Sequence, residues 1–417
     1  MTVDARDVAR ASRRRARPEG VFTPNVIALG VVSLLTDFSS EMIYPLLPLF
    51  LTRVLGAGPA FVGLIEGVAE STASFLKLAS GWASDRWRRR KGLVLGGYAL
   101  SSCVRPLVAA AAAPWHVLAI RFADRVGKGV RTSPRDALLA DSTDADHLGR
   151  AFGFQRAMDH LGAAVGPLVA AGLLSGLGWD LRSVFWAAAV PALLSILVLG
   201  SGVTEVAPRP RAAAASPGAV PRAASAVPRT FRRYLLVVVL FTLGNSSDAF
   251  LLLRAQEMGV AAAALPILWA AFHVVKSVTS TPLGSLSDRW GRRKVIRLGW
   301  LLYAAVYAGL AAAPGPLALW ALVLAYGVYY GLTEGVERAL VADLVSSEAR
   351  STAYGWFHTA VGLTALPASL LAGALWQVWG PAWAFGLGAA LSLAAAALLP
   401  LALRPRKSRV SSQPGHS

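Results

Sequence analysis

Twelve apolar runs, each close to the length that spans a bilayer, constrain this chain more than any other feature. A helix needs roughly 20 apolar residues to cross about 30 Å of hydrocarbon. Six runs precede residue 202, near 26–51, 60–82, 92–112, 115–137, 151–175 and 183–200. Six follow, near 232–254, 261–286, 295–313, 316–340, 351–376 and 381–403. Short breaks rich in Gly and Pro separate them, as at Gly56-Ala57-Gly58-Pro59 and Ala313-Pro314-Gly315-Pro316. The runs lack period-two alternation, which argues against a β-barrel. The expected class is all-α: a polytopic membrane protein with 12 transmembrane helices.

Composition agrees. The chain is 55% hydrophobic and 15% charged, with a mean hydropathy of +0.52. A soluble domain carries about 25% charged residues, so that class is excluded, as is disorder. The single cysteine, Cys103, excludes an intrachain disulfide and a thiolate metal site. Walker loops, Cys/His clusters and nucleophile elbows are absent from the sequence, so no cofactor, metal or catalytic role is expected. Gly127-Lys128-Gly129 is too short for a phosphate loop. The first run is too long for a signal-peptide core and reads as a first span.

The net charge is 41 − 23 = +18, and its distribution gives an orientation. Basic residues fill the N-terminal tail (Arg6 to Arg17), the second loop (Arg86, Arg88, Arg89, Arg90, Lys91), the eighth (Arg289, Arg292, Arg293, Lys294) and the last tail. Arg53 and Arg182 are the exceptions in the alternate loops. Basic loops stay in the cytoplasm, so both termini are expected there, in the plasma membrane. This accounts for the charge without nucleic acid. The stretch Val203 to Arg229 is rich in Ala, Pro and Arg and reads as a flexible linker. The expected organisation is a basic tail (1–24), a six-helix bundle (25–202), a cytoplasmic linker (203–230), a second bundle (231–403) and a tail (404–417).

The halves repeat each other. Gly81-Trp-Ala-Ser-Asp85-Arg86 returns as Gly284-Ser-Leu-Ser-Asp288-Arg289. Ser39-Ser40-Glu41 returns as Ser246-Ser247-Asp248, and RDALLAD (135–141) resembles RALVAD (338–343). Two such halves match a parallel-repeat transporter plan.

These motifs resemble those of the major facilitator superfamily along nearly the whole chain. The motif G-x-x-x-D-R-x-G-R-R-K is complete in the second copy, and Arg88 replaces its glycine in the first. The resemblance implies a latch of the outward-open state built on Gly81, Asp85, Arg86, Gly284, Asp288 and Arg289. Helix four carries Arg121-Phe-Ala-Asp124-Arg125-Val-Gly127, similar to R-F-x-Q-G-x-G with Asp124 and Arg125 substituted. Helix five carries Gly153, Gly162 and Gly166-Pro167, then Ala170-Ala171. That spacing resembles the antiporter motif, whose last pair is usually Gly-Gly, and implies proton-coupled efflux.

Charges at membrane depth are costly and mark functional sites by default. Asp37 and Glu41 share a helix face, with Tyr44 one turn on. Arg121, Arg125 and Lys128 share another, beside Asp124. Asn245 with Asp248, and Tyr330 with Glu334 and Arg338, complete the set. The resemblance puts helices one, four, seven and ten around one cavity, and these residues form the expected substrate and proton site. Static pairs of Glu334 with Arg338, or of Asp37 or Glu41 with Arg121, are the competing reading. Glu66, Glu70, Arg156, Asp159, His160, His273, Lys276 and His358 lie on helices two, five, eight and eleven, where the resemblance implies gates. Arg105 reads as a snorkelling or paired residue. Trp115, Trp179, Trp376, Trp379 and Trp383 read as interfacial anchors. The expected function is a monomeric secondary transporter in the lipid bilayer, exchanging protons for a small-molecule substrate. An importer of an organic anion, supported by Arg105, Arg121 and Arg125, is the alternative. A non-transporting receptor or scaffold is the rival from another class.

Overall fold

A computed structural model describes residues 20–57, 59–206, 228–246, 248–260 and 265–404, without the side chains at 48, 52, 59–64, 66–71, 249, 256 and 266. Most of the expected tails and linker, and the side chains of Glu66 and Glu70, lie outside the described residues.

Regular structure among the described residues is helical, in twelve rods. They are α1 (Pro24–Ile43, prolonged by short turns to Val54), α2 (Pro59–Trp87), α3 (Arg90–Val104, with a tighter turn Arg105–Ala110) and α4 (Pro114–Asp141). Next come α5 (Leu148–Gly176), α6 (Leu181–Ala187 and Ala189–Gly202) and α7 (Arg229–Gly244 and Ala249–Glu257). The last are α8 (Leu265–Trp290), α9 (Arg292–Ala312), α10 (Pro316–Leu344), α11 (Arg350–Trp379) and α12 (Pro381–Ala402). Local chemistry sets the ends. Pro24, Pro114, Pro316 and Pro381 open their helices, where a missing N–H costs nothing. The Thr23 side chain caps α1 by accepting from the Val26 N–H. Gly380, at φ 91°, turns the chain from α11 into α12.

Eight of these segments are long and apolar enough to cross a membrane by length and composition. The rods α2, α4, α7 and α8 fall outside that group, and α4 shows why. It carries Arg121, Asp124, Arg125, Arg131, Arg135 and Asp136, all buried. Such a helix can cross lipid only when its neighbours cover its charges. The outer surface is apolar, with Leu168, Leu197, Leu236, Leu317 and Leu366 each 60% or more exposed. Trp115, Trp179, Trp379 and Trp383 are exposed near rod ends, where anchors were expected. Trp376 differs: it donates to Glu257 at 2.9 Å and packs on Phe250 and Phe385.

Within the first half, α1 packs on α5 and α6, and α4 on α2 and α3. In the second, α10 packs on α8 and α9, and α12 on α7 and α9. Across the halves, α5 meets α8 and α10, while α11 meets α2 and α4. The two closest crossings are repeat equivalents. A β-carbon at Gly81 of α2 would stand 2.3 Å from the Ser351 carbonyl oxygen of α11. One at Gly284 of α8 would stand 2.2 Å from the Gly149 carbonyl oxygen of α5. Only glycine lets the backbones meet there.

The carboxylates one turn on complete both crossings. Asp85 accepts from the N–H groups of Ser351 (3.2 Å) and Thr352 (2.7 Å) at the start of α11. Asp288 accepts from Gly149 (2.8 Å) and Arg150 (2.9 Å) at the start of α5. Each carboxylate thus satisfies orphan donors and faces the positive end of a helix in the opposite half. The arginines that join them are Arg90 and Arg292, whereas Arg86 and Arg289 are exposed. Arg90 also meets Asp141, and Arg292 meets Asp343. Arg88 (φ 53°) adopts the left-handed turn conformation that Gly291 (φ 92°) takes in the second copy. One further residue, Arg89, then precedes α3, so the paired arginine sits one position later in the first copy.

These approaches give a contrast that can be measured. Gly92 has open space around its Cα, so Gly92→Ala should be neutral or slightly stabilising through helix propensity. Gly284→Ala forces two backbones apart and should lower the thermal unfolding midpoint of the detergent-purified protein by about 5 °C or more. Equal midpoints for the two variants would contradict the close crossing.

Candidate functional site

Three clusters of charge lie inside the packed rods, each built by its own combination of helices. The first belongs to the N-terminal half. The prolines after Ile43 break α1 and turn Tyr44 toward α4. The Tyr44 hydroxyl donates to Asp124 at 2.5 Å. Arg105 donates to the same carboxylate at 3.0 Å and to the Thr36 carbonyl at 3.0 Å. The expected pairing of Arg105 is thus observed, and its partner is Asp124. Arg121 lies 3.7 Å from Asp124 and stacks over the Tyr44 ring at 4.1 Å. Arg125 and Arg105 stand 5.5 and 5.9 Å from that ring. Asp37 and Glu41 are half-buried on the neighbouring face of α1. Asp37 is within electrostatic reach of Asp159, Glu41, Lys128 and Arg156.

The second cluster belongs to the C-terminal half. Asp248, just after the break in α7, accepts from Tyr326 at 2.9 Å and from Tyr330 at 3.2 Å. Asn245, at the break itself, has its side-chain oxygen 3.4 Å from the Tyr303 and Tyr326 hydroxyls. The Lys276 ammonium of α8 lies 3.6 Å from the Tyr330 ring centre. The His160 and His273 rings approach to 5.8 Å across the halves.

The third cluster joins the halves. Arg156 of α5 bonds Asp159 on its own helix at 2.5 Å and Glu334 of α10 at 3.2 Å. His160 meets the other Glu334 oxygen at 2.8 Å. Gln155 donates to Ser33 of α1 at 2.5 Å and to Asp159 at 3.1 Å. Arg338 approaches both Glu334 and Asp136 at 3.5 Å, and Asp136 holds His358 of α11 at 2.8 Å. Asp141 and Asp343 meet the latch arginines of their own halves, so Asp136 and Arg338, each five residues earlier, are repeat equivalents. The pseudo-two-fold therefore brings them together as a charge pair.

Several candidates from the sequence are brought together and others are separated. Tyr44, Arg121, Asp124 and Arg125 share one cluster, and Asn245, Asp248 and Tyr330 share another. Glu334 joins Arg156 and His160 as well as Arg338. Gly162 and Gly166 of α5 receive the backbone of α1 at Leu34 and Phe38, while Gly153 receives Ser280 of α8. Pro167 sits within α5. Sequence reasoning passed over Gln155, Asp136, Tyr303 and Tyr326. For Asp136 the repeat alignment held a signal, since it aligns with the charged Arg338. For the tyrosines only their helical spacing with Tyr330 (326, 329, 330) was available.

Comparisons with known proteins agree with this architecture. The model of the Major Facilitator Superfamily matches residues 29–253 and 235–417. An MFS-type transporter of Methanocaldococcus jannaschii is 35% identical over 381 residues, covering 90% of this chain and 94% of that protein. A protein of Cupriavidus pinatubonensis, named a probable 4-methylmuconolactone transporter, is 28% identical and covers 63% of this chain and 62% of its own length. Among solved structures, the human organic anion transporter MFSD10 superposes with a TM-score of 0.73 at 16% identity, over 90% of this chain and 99% of that one. The Escherichia coli fucose:proton symporter FucP gives 0.75 at 15% identity, over 91% and 98%. The chain therefore belongs to the major facilitator superfamily and is a multi-pass membrane transport protein.

Proposed function

We propose that this transporter exchanges protons for a small-molecule substrate and moves the substrate out of the cell. The observation that carries this reading is the position of Arg156. Its guanidinium is shared between Asp159 of its own half and Glu334 of the other. Asp37, beside Glu41 on α1, lies within electrostatic reach of both Arg156 and Asp159. A proton arriving at Asp37, whose neighbour Glu41 shares its field, changes the field at Arg156 and so weakens or strengthens a bond between the halves. That is the linkage alternating access needs: a titratable group that biases one of two packings. The glycines of α5 support exchange, because Gly162 and Gly166 press α1 with its acids against that helix.

In this conformation the halves are tied from the latch end to mid-depth. Inter-half hydrogen bonds among the described residues run from Arg90 and Arg292 to Glu334 and Ser74. Glu334 stands ten residues from the end of α10, about 15 Å at 1.5 Å per residue. This pattern suits a state closed at the latch end and open at the other. We assign the latch end to the cytoplasm from the basic loops around it, with the bundles at 25–202 and 231–403, the linker at 203–230 and the plasma membrane as location. A monomer suffices, since each half supplies part of the site.

A second reading, proton-driven import of an organic anion, draws on the three guanidinium groups around Tyr44. The name of the Cupriavidus relative is compatible with it. One assay separates the two. Proteoliposomes loaded with a pH dye receive an external panel of carboxylates and lipophilic cations. Exchange makes the lumen alkaline when a transported compound enters, and co-transport makes it acid. Alkalinisation is expected for the native chain. The Asp37→Asn, Glu41→Gln double variant should lose the signal at least tenfold, about 1.4 kcal/mol in the barrier, while still inserting. Acidification would favour the second reading, and a double variant with native signals would remove the two acids from coupling.

A further inference from the structure

We propose that Lys276 of α8 is the anchor for an anionic substrate group, so that the chain carries a small organic carboxylate with a flat, unsaturated body. This rests on the reading of the chain as a small-molecule transporter. Lys276 was expected to act in gating, and its surroundings argue for another role. It is 5% exposed, yet among the described residues its ammonium makes no hydrogen bond and no ion pair within 4.0 Å. Its neighbours are the faces of Tyr330 at 3.6 Å and Phe272 at 4.8 Å. The side chain is buried, but the ammonium nitrogen is not one of the fully enclosed polar atoms left without a partner, so it keeps some accessible surface. An ammonium so placed without a carboxylate is poorly solvated, and ring faces offset only part of that cost.

Two acids lie nearby, and both are already engaged. Asp248 accepts from the Tyr326 and Tyr330 hydroxyls. Glu334 is held by Arg156 and His160. The donors of Lys276 are thus left for something that enters from the space between the halves. Tyr330, His273, Asp248 and Glu334 are half-buried near it: its ammonium lies over the Tyr330 ring and within electrostatic reach of His273, Asp248 and Glu334. A carboxylate placed on the Lys276 ammonium would supply the missing charge. Its body would then lie against the aromatic group of His273, Tyr330 and His160, whose rings stand 5.8 to 6.5 Å apart. Flat π-systems suit such a wall.

Equilibrium binding to the purified full-length protein tests this, with benzoate as probe, benzamide as its uncharged analogue and benzylamine as the opposite charge. Benzoate should bind at millimolar concentration or below, and benzamide and benzylamine at least about tenfold more weakly, the scale of one charge-assisted hydrogen bond. Lys276→Gln should weaken benzoate at least tenfold, and Lys276→Arg should keep it within about threefold. Failure of benzoate to bind, equal binding of benzamide, or native affinity in Lys276→Gln would each overturn the assignment. The comparison of the three probes on the unaltered protein needs no variant, so a misfolded Lys276→Gln does not block the test. Binding requires no gradient. Loss of the proton signal in proteoliposomes would overturn proton exchange and leave this result standing, and the reverse also holds.

Discussion

Hydrocarbon has no means of solvating an ion, and this chain folds around that constraint. A lone charge at membrane depth costs several kcal/mol or more, so most of these charges are partnered inside the protein, with Lys276 left to ring faces. The partners come from sequence-distant helices, which turns a local penalty into long-range organisation. Asp124 needs Arg105 and Tyr44, which ties α4 to the end of α3 and the bend after α1. Glu334 needs Arg156 and His160, which ties α10 to α5. Asp136 needs His358, which ties α4 to α11. The last two pairs cross between the halves. Breaking one side of such a pair typically costs about 3–5 kcal/mol, because the other charge stays buried.

The same logic separates the two kinds of inter-half contact. At the latch end, Asp85 and Asp288 bond backbone N–H groups at helix starts, and the glycines beside them admit close crossings. Those contacts combine close backbone crossings, carboxylates at helix starts and the inter-half ion pair of Arg350 with Asp141. Further along the rods the contact is made between side chains, as at Glu334 and Asp136. Alternating access calls for both: a close crossing about which the halves can rock, and a contact between them that can be made and broken.

How far the sequence carried this picture follows from the physics of each feature. The twelve rods were legible because length and apolarity are local properties. Rod ends agreed within a few residues, as for 381–403 against Pro381–Ala402 and 316–340 against Pro316–Leu344. The latch aspartates were legible through repetition. Their arginines were less so, because the left-handed Arg88 shifts the paired residue from the motif position to Arg90. The break of α7 at Asn245 escaped notice although Gly244-Asn245-Ser246-Ser247-Asp248 is a run of turn-forming residues inside an otherwise apolar stretch. Pairing across helices was the least legible: Glu334 and Arg338 do approach, as spacing suggested, yet Arg156 and His160 lie 178 and 174 residues from Glu334 and stand closer to its carboxylate.

The central claim is that the charged contact at Glu334 holds the latch end closed. Spin-label distance measurement tests it most directly. Labels at the exposed positions Arg86→Cys and Arg289→Cys, in a Cys103→Ser background, report the separation of the halves at that end in proteoliposomes. The native contact predicts one dominant short population, and Glu334→Gln predicts added longer distances. A Glu334→Gln distribution that coincides with the native one would contradict the account.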